Sequence, residues 1–364
     1  MLRYVIIIFL LVVSSGTCYA SQASNRWNQV LFDAVHFAEN GNDIVIEIHK
    51  IRSSLKNGAN PNWINPGRKH TTRQRTESIL SRYVFLISIP GHKQNNSHQG
   101  IMAIKELFNH GAKIQPIDAE VLFFPIAGGN YKIVQLLLDH GASARSWPKS
   151  IGTNLTPIEY AIEEGYDDIA KLLKKYGAKN VSKNDEIQLK FIGAASKGSL
   201  KLLKRILKQG AKINGKNRSG ETALGNALNI FVSSEDLVKI DFLLNHGADP
   251  NIKSVFIGCH SCLPLHYATI ITSYLFRSKN IDHNIGKALL KDMLDHGAYV
   301  SGRDDARMTP LHYAAKYNNI YAAKLFLKRG ALVMPKDRKG NTPLDYAESA
   351  KMIKLLKKHG AKEI

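Results

Sequence analysis

The chain has 364 residues, of which 44% are hydrophobic, enough for a packed core in two or three ordinary domains or in one long repeat array. Its 50 lysines and arginines against 30 acids give a net charge of +20, which favours acidic partners or anionic surfaces and disfavours basic ones.

The first segment has its own character: Arg3, an apolar run from Val5 to Val13, then "SSGTCYA" ending on the small residue Ala20. A positive start, a short apolar stretch and a small-residue cleavage site predict a signal peptide over 1–20, with export after cleavage near Ala20. So short a run cannot cross a hydrocarbon core of about 30 Å as a helix, which disfavours an uncleaved anchor. Lipid attachment through Cys18 is disfavoured by Thr17, which stands where such signals carry a small residue. Cleavage leaves Cys259 and Cys262 as the remaining cysteines, one pair in an oxidising compartment.

Beyond that segment one phrase recurs, as in "LLLDHGASA", "LLNHGADPN" and "FLKRGALVM", with its glycine at 58, 111, 141, 177, 210, 247, 297, 330 and 360. The spacing is close to 33 with two long exceptions. A second phrase precedes it: "TPIEYA" from Thr156, "TALGNA" from Thr222, "LPLHYA" from Leu263, "TPLHYAA" from Thr309 and "TPLDYA" from Thr342. Thr309 is expected to cap a helix through its hydroxyl, with Pro310 at the first helical position. Leu311, Ala314 and Ala315 form a narrow apolar face. A second helix carries Ile320, Ala323, Leu325 and Phe326, and Gly330 ends it in the left-handed conformation. Each unit therefore reads as helix, turn, helix, glycine stop.

These phrases resemble the ankyrin repeat family, with its 33-residue unit and T-P-L-H-x-A motif. The resemblance implies an all-α solenoid of about nine helix-turn-helix units with β-hairpin fingers, in which only neighbouring units touch. It is strong from Thr156 onward. The first two units lack T-P-L-H, with the basic stretch Trp63 to Thr76 between them and Pro90 to Gly100 interrupting the second. The expected division is 1–20 signal peptide, 21–115 divergent N-terminal units with long basic loops, and 116–364 repeat domain. The opening "WNQVLFDAVHFA" and the closing "KMIKLLKKHGAKEI" suit terminal caps. The fifth unit has "LKFIGAA", Leu189 to Ala195, in place of T-P-L-H, a degraded first turn. The seventh has a longer finger and an insertion around "TSYLFRSKNIDHNIG", expected to form loops.

Candidate chemistry concentrates at "GCHSCLPLHYA". As a zinc set, Cys259, Cys262, His260 and His266 are disfavoured because His260 sits inside the Cys-x-x-Cys loop, and His266 occupies the repeat's own histidine position. In the family that histidine makes structural hydrogen bonds. A redox role gains from Cys262 lying just before a helix, but the βαβ setting of a thioredoxin-like motif is missing. The favoured reading is a structural disulfide between Cys259 and Cys262, contributing about 2 kcal/mol and shaping the finger. No metal or cofactor is expected. From Lys171 to Gly220 the chain carries over half of the net charge, and in "SLKLLKRILKQG" Lys201, Lys204, Arg205 and Lys208 share one helical face. That face is a candidate patch for an anionic partner, with membrane-surface contact as a second outlet. "YDDI", Tyr166 to Ile169, places acids at a helix N-terminus rather than forming a catalytic pair. No nucleophile elbow, phosphate loop, H-E-x-x-H phrase or nucleic-acid motif occurs.

The resemblance then implies a non-catalytic, monomeric protein-protein interaction module. It would bind an acidic protein through its concave face and through fingers presenting Arg218, His260, Arg303, Asp305, Arg307, Lys336 and Arg338. A bacterial periplasmic role in neutralising a toxin or supporting an enzyme fits this expectation. The alternatives are a secreted effector acting on host proteins and a redox or metal protein using Cys259 and Cys262.

Overall fold

The computed structural model describes residues 23–37, 44–65, 77–88, 98–115, 120–145, 153–256, 262–277 and 282–362. The expected signal peptide, Cys259 and His260 lie outside these residues. The chain divides into two compact units, one up to Val181 and one from Ser182.

The first unit opens with α1 (Ala23–Asp33), the paired strands β1 (Val35–Phe37) and β2 (Ile44–Ile46), and α2 (Ile48–Lys56). The opening amphipathic stretch is therefore helical only to Asp33. Its end, Val35 to Phe37, is extended and pairs antiparallel with Ile44–Ile46. A short antiparallel pair follows, β3 (Ile64–Asn65) with β4 (Glu77–Ser78), and residues 66–76 of the basic stretch lie outside the described residues. Then come α3 (Ile79–Ser88), α4 (His98–Asn109), α5 (Phe123–Ala127), α6 (Tyr131–Asp139), α7 (Pro157–Glu164) and α8 (Asp167–Lys175). First helices stack on first helices, α3 on α5 on α7, and second on second, α2 on α4 and α6 on α8.

The second unit contains α9 (Lys183–Lys197), α10 (Leu200–Lys208), α11 (Ala223–Leu228), α12 (Ser234–Asn245), α13 (Pro264–Leu275), α14 (His283–Asp295), α15 (Pro310–Lys316), α16 (Ile320–Lys328), a 3-10 turn (Pro343–Tyr346) and α17 (Ala350–Lys358). The same two-layer stacking recurs, α9, α11, α13, α15 and the 3-10 turn in one layer and α12, α14, α16 and α17 in the other. Its core is one continuous cluster from Phe191 to Ala361, with Ala195, Ala223, Ala227, Ala268, Ala314 and Ala323 between the layers. Small side chains at those positions let helices approach closely, and the larger Phe191, Phe256 and Phe326 fill the remaining volume.

All nine repeat glycines, from Gly58 to Gly360, have φ between 81° and 103°. In that left-handed region a Cβ is penalised, so the glycine ends each unit. Asparagines then tie one unit to the next. Asn251 Nδ2 donates to Gly297 O (2.9 Å) and its Oδ1 accepts from Tyr299 N (2.8 Å); Asn62 and Asn214 make the same pair of bonds to the following turn.

Three expectations change. The fifth unit's first helix is not degraded but long, because Ser182 caps it seven positions ahead of Leu189 by accepting from Asp185 N. The insertion of the seventh unit goes largely into helix: α13 has 12 residues against 7 for α15, and α14 has 13 against 9 for α16. Finally, the cap at Thr309 is a reciprocal box with His312 rather than the hydroxyl alone: His312 Nδ1 accepts from Thr309 N (2.9 Å) and lies 2.9 Å from the Thr309 hydroxyl.

Among the described residues no helix is long and apolar enough to cross a membrane, and no group of three or more His, Cys, Asp or Glu could hold a metal ion.

Candidate protein-binding surface

The histidine of the recurring phrase is structural at both positions. His266 Nδ1 accepts from Leu263 N (3.2 Å), which leaves its Nε2–H to donate to Met308 O (3.0 Å) and Gly302 O (3.1 Å) of the next finger. His312 repeats this toward Asn341 O (3.2 Å). Both side chains are buried, and burial, outweighing Asp304 and the backbone bonds, holds both imidazoles below their ordinary range. Each histidine therefore links the start of a helix to the finger that follows it.

The fingers of units six, eight and nine have one architecture. A tight turn runs from Asn217 to Gly220, from Asp304 to Arg307 and from Asp337 to Gly340, closed by the last N–H donating to the first C=O at 3.0, 2.9 and 3.2 Å. Asp304 accepts from the Tyr313 hydroxyl (2.7 Å) and from Met308 N (2.8 Å), pinning its finger to α15. Asp337 accepts from the Tyr346 hydroxyl (2.6 Å) in the same way. Burial and the bond to Asp304 push the Tyr313 phenol well above its ordinary range. Sequence reasoning missed these clamps; the recurring nine-residue spacing from Asp304 to Tyr313 and from Asp337 to Tyr346 is the signal that reveals them.

The left-handed position at the end of each turn is Gly220 (φ 83°), Arg307 (φ 61°) and Gly340 (φ 86°). Glycine adopts it without steric cost, whereas an arginine there is disfavoured by roughly 1–2 kcal/mol. Arg307 is exposed and, among the described residues, pairs with no carboxylate.

Neighbouring fingers are joined. Lys253 Nζ lies 2.5 Å from Asp305 Oδ1, Arg303 Nη1 donates to Lys336 O (3.0 Å), and Arg338 N donates to Ala306 O (2.9 Å). Of the residues expected to face a partner, Arg218, Asp305, Arg307, Lys336 and Arg338 are exposed and Arg303 is half-buried. The joined row presents Arg307, Lys336, Arg338 and Lys339. On its one exposed acid, Asp305, Lys253 already sits. At a further repeat position, two residues after the stop glycine, Tyr299 is 64% exposed and Leu332 56% exposed, where other units carry Lys113, Ser143, Lys212 or Asp249.

In the seventh finger the described part folds inward. Ser254 Oγ accepts from Thr222 N (3.1 Å), Val255 O accepts from Asn229 Nδ2 (3.0 Å), and Phe256 stacks on Tyr267 with ring centres 4.6 Å apart. Cys262 is fully buried and has its Sγ 3.6 Å from the Tyr313 hydroxyl. On α10 the expected face is present: Lys201, Lys204, Arg205 and Lys208 are exposed while Leu203 and Ile206 are buried.

Two family models match the chain, both described as ankyrin repeats: one of three copies over residues 95–185, and one of many copies over 293–347. An ankyrin repeat protein of Acanthamoeba polyphaga mimivirus is 29% identical over 230 residues, 60% of this chain but only 26% of that protein. The mitochondrial disaggregase of Homo sapiens is 29% identical over 186 residues, 46% of this chain and 26% of its own length. Against both, the chain spans about a quarter of the relative. A shorter ankyrin repeat protein of Fowlpox virus is 33% identical over 149 residues, 36% of this chain, and is matched over 100% of its length. With the stacked helix pairs, the left-handed glycine stops and the histidine links already in place, the chain belongs to the ankyrin repeat family.

Proposed function

We propose that this protein is a non-catalytic adaptor whose fingers in units seven to nine grip an acidic protein partner. The observation that carries the reading is Arg307, an exposed arginine in the backbone conformation that the two comparable fingers give to glycine. Strain at a residue without a packing role is a reason to look for function. The fingers on either side hold Arg307 within a joined row, and preorganisation of that kind lowers the cost of binding. The surrounding charge suits a carboxylate-bearing surface, and exposed Tyr299 and Leu332 add the apolar contact that a protein partner offers.

The apolar run and small-residue end before Ser21 support export, and an oxidising compartment suits a Cys259–Cys262 staple closing the seventh finger. Mass spectrometry of the purified protein with and without reductant tests the staple; free thiols at both cysteines contradict it. The binding reading is tested with Arg307→Gly. Glycine keeps the backbone and removes the side chain, so thermal stability is expected to hold or rise by about 1 kcal/mol. Recovery of the partner by the tagged protein is expected to fall at least tenfold. Undiminished recovery of that partner places the grip elsewhere.

A further inference from the structure

The second helix of the fifth unit, α10, has a charge pattern that helix stability does not favour. Acids in the first turn favour a helix, as in α8 with Asp167 and Asp168 and α12 with Glu235 and Asp236. α10 has no acid at all and carries Lys201 in its first turn. Its cations are spaced so that like charges meet: Lys201 with Arg205 and Lys204 with Lys208 are four apart, and Lys201 with Lys204 and Arg205 with Lys208 are three apart. Each such pair disfavours the helix. Among the described residues none of the four forms an ion pair.

The same residues share an open surface along the helix with half-buried Leu200 and Leu202. Lys204 is held with its ammonium 5.5 Å from the centre of the Phe242 ring on α12. One turn before Phe242, Val238 is 49% exposed. The surface is therefore a row of cations beside apolar side chains. α17 repeats the charge with Lys351, Lys354 and Lys358 and serves as the comparison helix.

We infer that the outer face of α10 is a second docking surface, distinct from the fingers, for a peptide segment that carries both acidic and apolar side chains. Four unpaired cations attract the acids, while Leu200, Leu202 and Val238 offer apolar contacts to the apolar side chains of such a segment. The inference rests on the reading of the chain as a protein-binding module, but not on the fingers.

The test uses the whole protein, a fluorescent 14-residue helical peptide with glutamate and leucine on opposite faces, its counterpart with serine for leucine, and anionic phospholipid vesicles. Binding of the Glu/Leu peptide is expected to weaken at least tenfold with Lys201→Gln, Lys204→Gln, Arg205→Gln and Lys208→Gln combined. A loss of about threefold is expected for Arg205→Gln alone, which keeps the test informative should the fourfold variant misfold. The serine peptide is expected to bind at least fivefold more weakly. Lys351→Gln, Lys354→Gln and Lys358→Gln combined should change binding less than twofold, and so should Arg307→Gly. No binding of the Glu/Leu peptide, equal losses from the α10 and α17 variants, dependence on Arg307, or α10-dependent binding of the vesicles alone would each overturn the inference. The finger reading is judged separately, by recovery of the partner with Arg307→Gly.

Discussion

The sixth and eighth units solve one problem in opposite directions. Each opens its first helix on a threonine whose backbone N–H needs an acceptor, and a buried N–H left without one costs about 1–3 kcal/mol. In the eighth, His312 three residues on supplies Nδ1 to Thr309 and sends its other nitrogen forward to Asn341 O of the next finger. In the sixth, the matching residue is Gly225, which has no side chain to offer. There Ser254, from the finger of the seventh unit, reaches back and accepts from Thr222 N at 3.1 Å. A Cβ at Gly225 would stand 2.1 Å from Ser254 Oγ, so the glycine is required by that visit. The lesson is that the repeat conserves a bond between units and not the residue that makes it: the seventh unit's finger does in the sixth what a histidine does in the eighth.

Substitutions can break each arrangement separately. Gly225→Ala combines overpacking with the loss of the Ser254 acceptor, and urea unfolding is expected to show the largest loss, about 4 kcal/mol. His312→Ala leaves Thr309 N and Asn341 O unmatched and opens a cavity, for about 3 kcal/mol. Ser254→Ala removes only the acceptor for Thr222 N and is expected to cost about 1–2 kcal/mol. An order of effects in which Ser254→Ala exceeds Gly225→Ala contradicts the account of the sixth unit. Solenoids unfold in parts, so the comparison is best read by hydrogen exchange at α11 and α15 as well as by global melting.

Acid separates the two units with a smaller effect. His266 and His312 are held below the ordinary imidazole range by burial, so the unfolded chain binds protons that the folded one refuses. Their contribution is complete above about pH 6.5 and is lost as the pH falls from there toward the folded values, with a limiting slope of about 1.4 kcal/mol per pH unit for each histidine. Exchange at α15 should accelerate as the pH drops from 7 to about 5 once corrected for the intrinsic rate, and His312→Gln should flatten that response. The start of α11, capped without a histidine, should not share it. The smallest expected change belongs to Arg307→Gly, within about 1 kcal/mol of the parent in stability.

Much of this architecture was legible from spacing alone. Nine recurring glycines announced nine helix pairs, and every one of them takes the left-handed conformation. The solvent-facing stripe Lys201, Lys204, Arg205 and Lys208 followed from helical periodicity. What stayed hidden depends on partners distant in sequence. Nothing local says that His312 sends its second nitrogen forward to Asn341 O, or that Ser254 serves Thr222 from 32 positions away. The long α9 was hidden because its cap, Ser182, lies seven positions ahead of Leu189, where the missing T-P-L-H phrase would stand. Arg307 could have been found by aligning the three fingers, since it falls opposite Gly220 and Gly340.

The central claim is that the finger row meets the partner. A photo-crosslinking amino acid placed at Ala306, exposed beside Arg307, and another at Lys324, exposed on α16, compare the two faces in cells that make the protein. The account predicts one dominant adduct from position 306, reduced at least tenfold by Arg307→Gly, and none from position 324. The same adduct from position 324 with none from position 306 would contradict it.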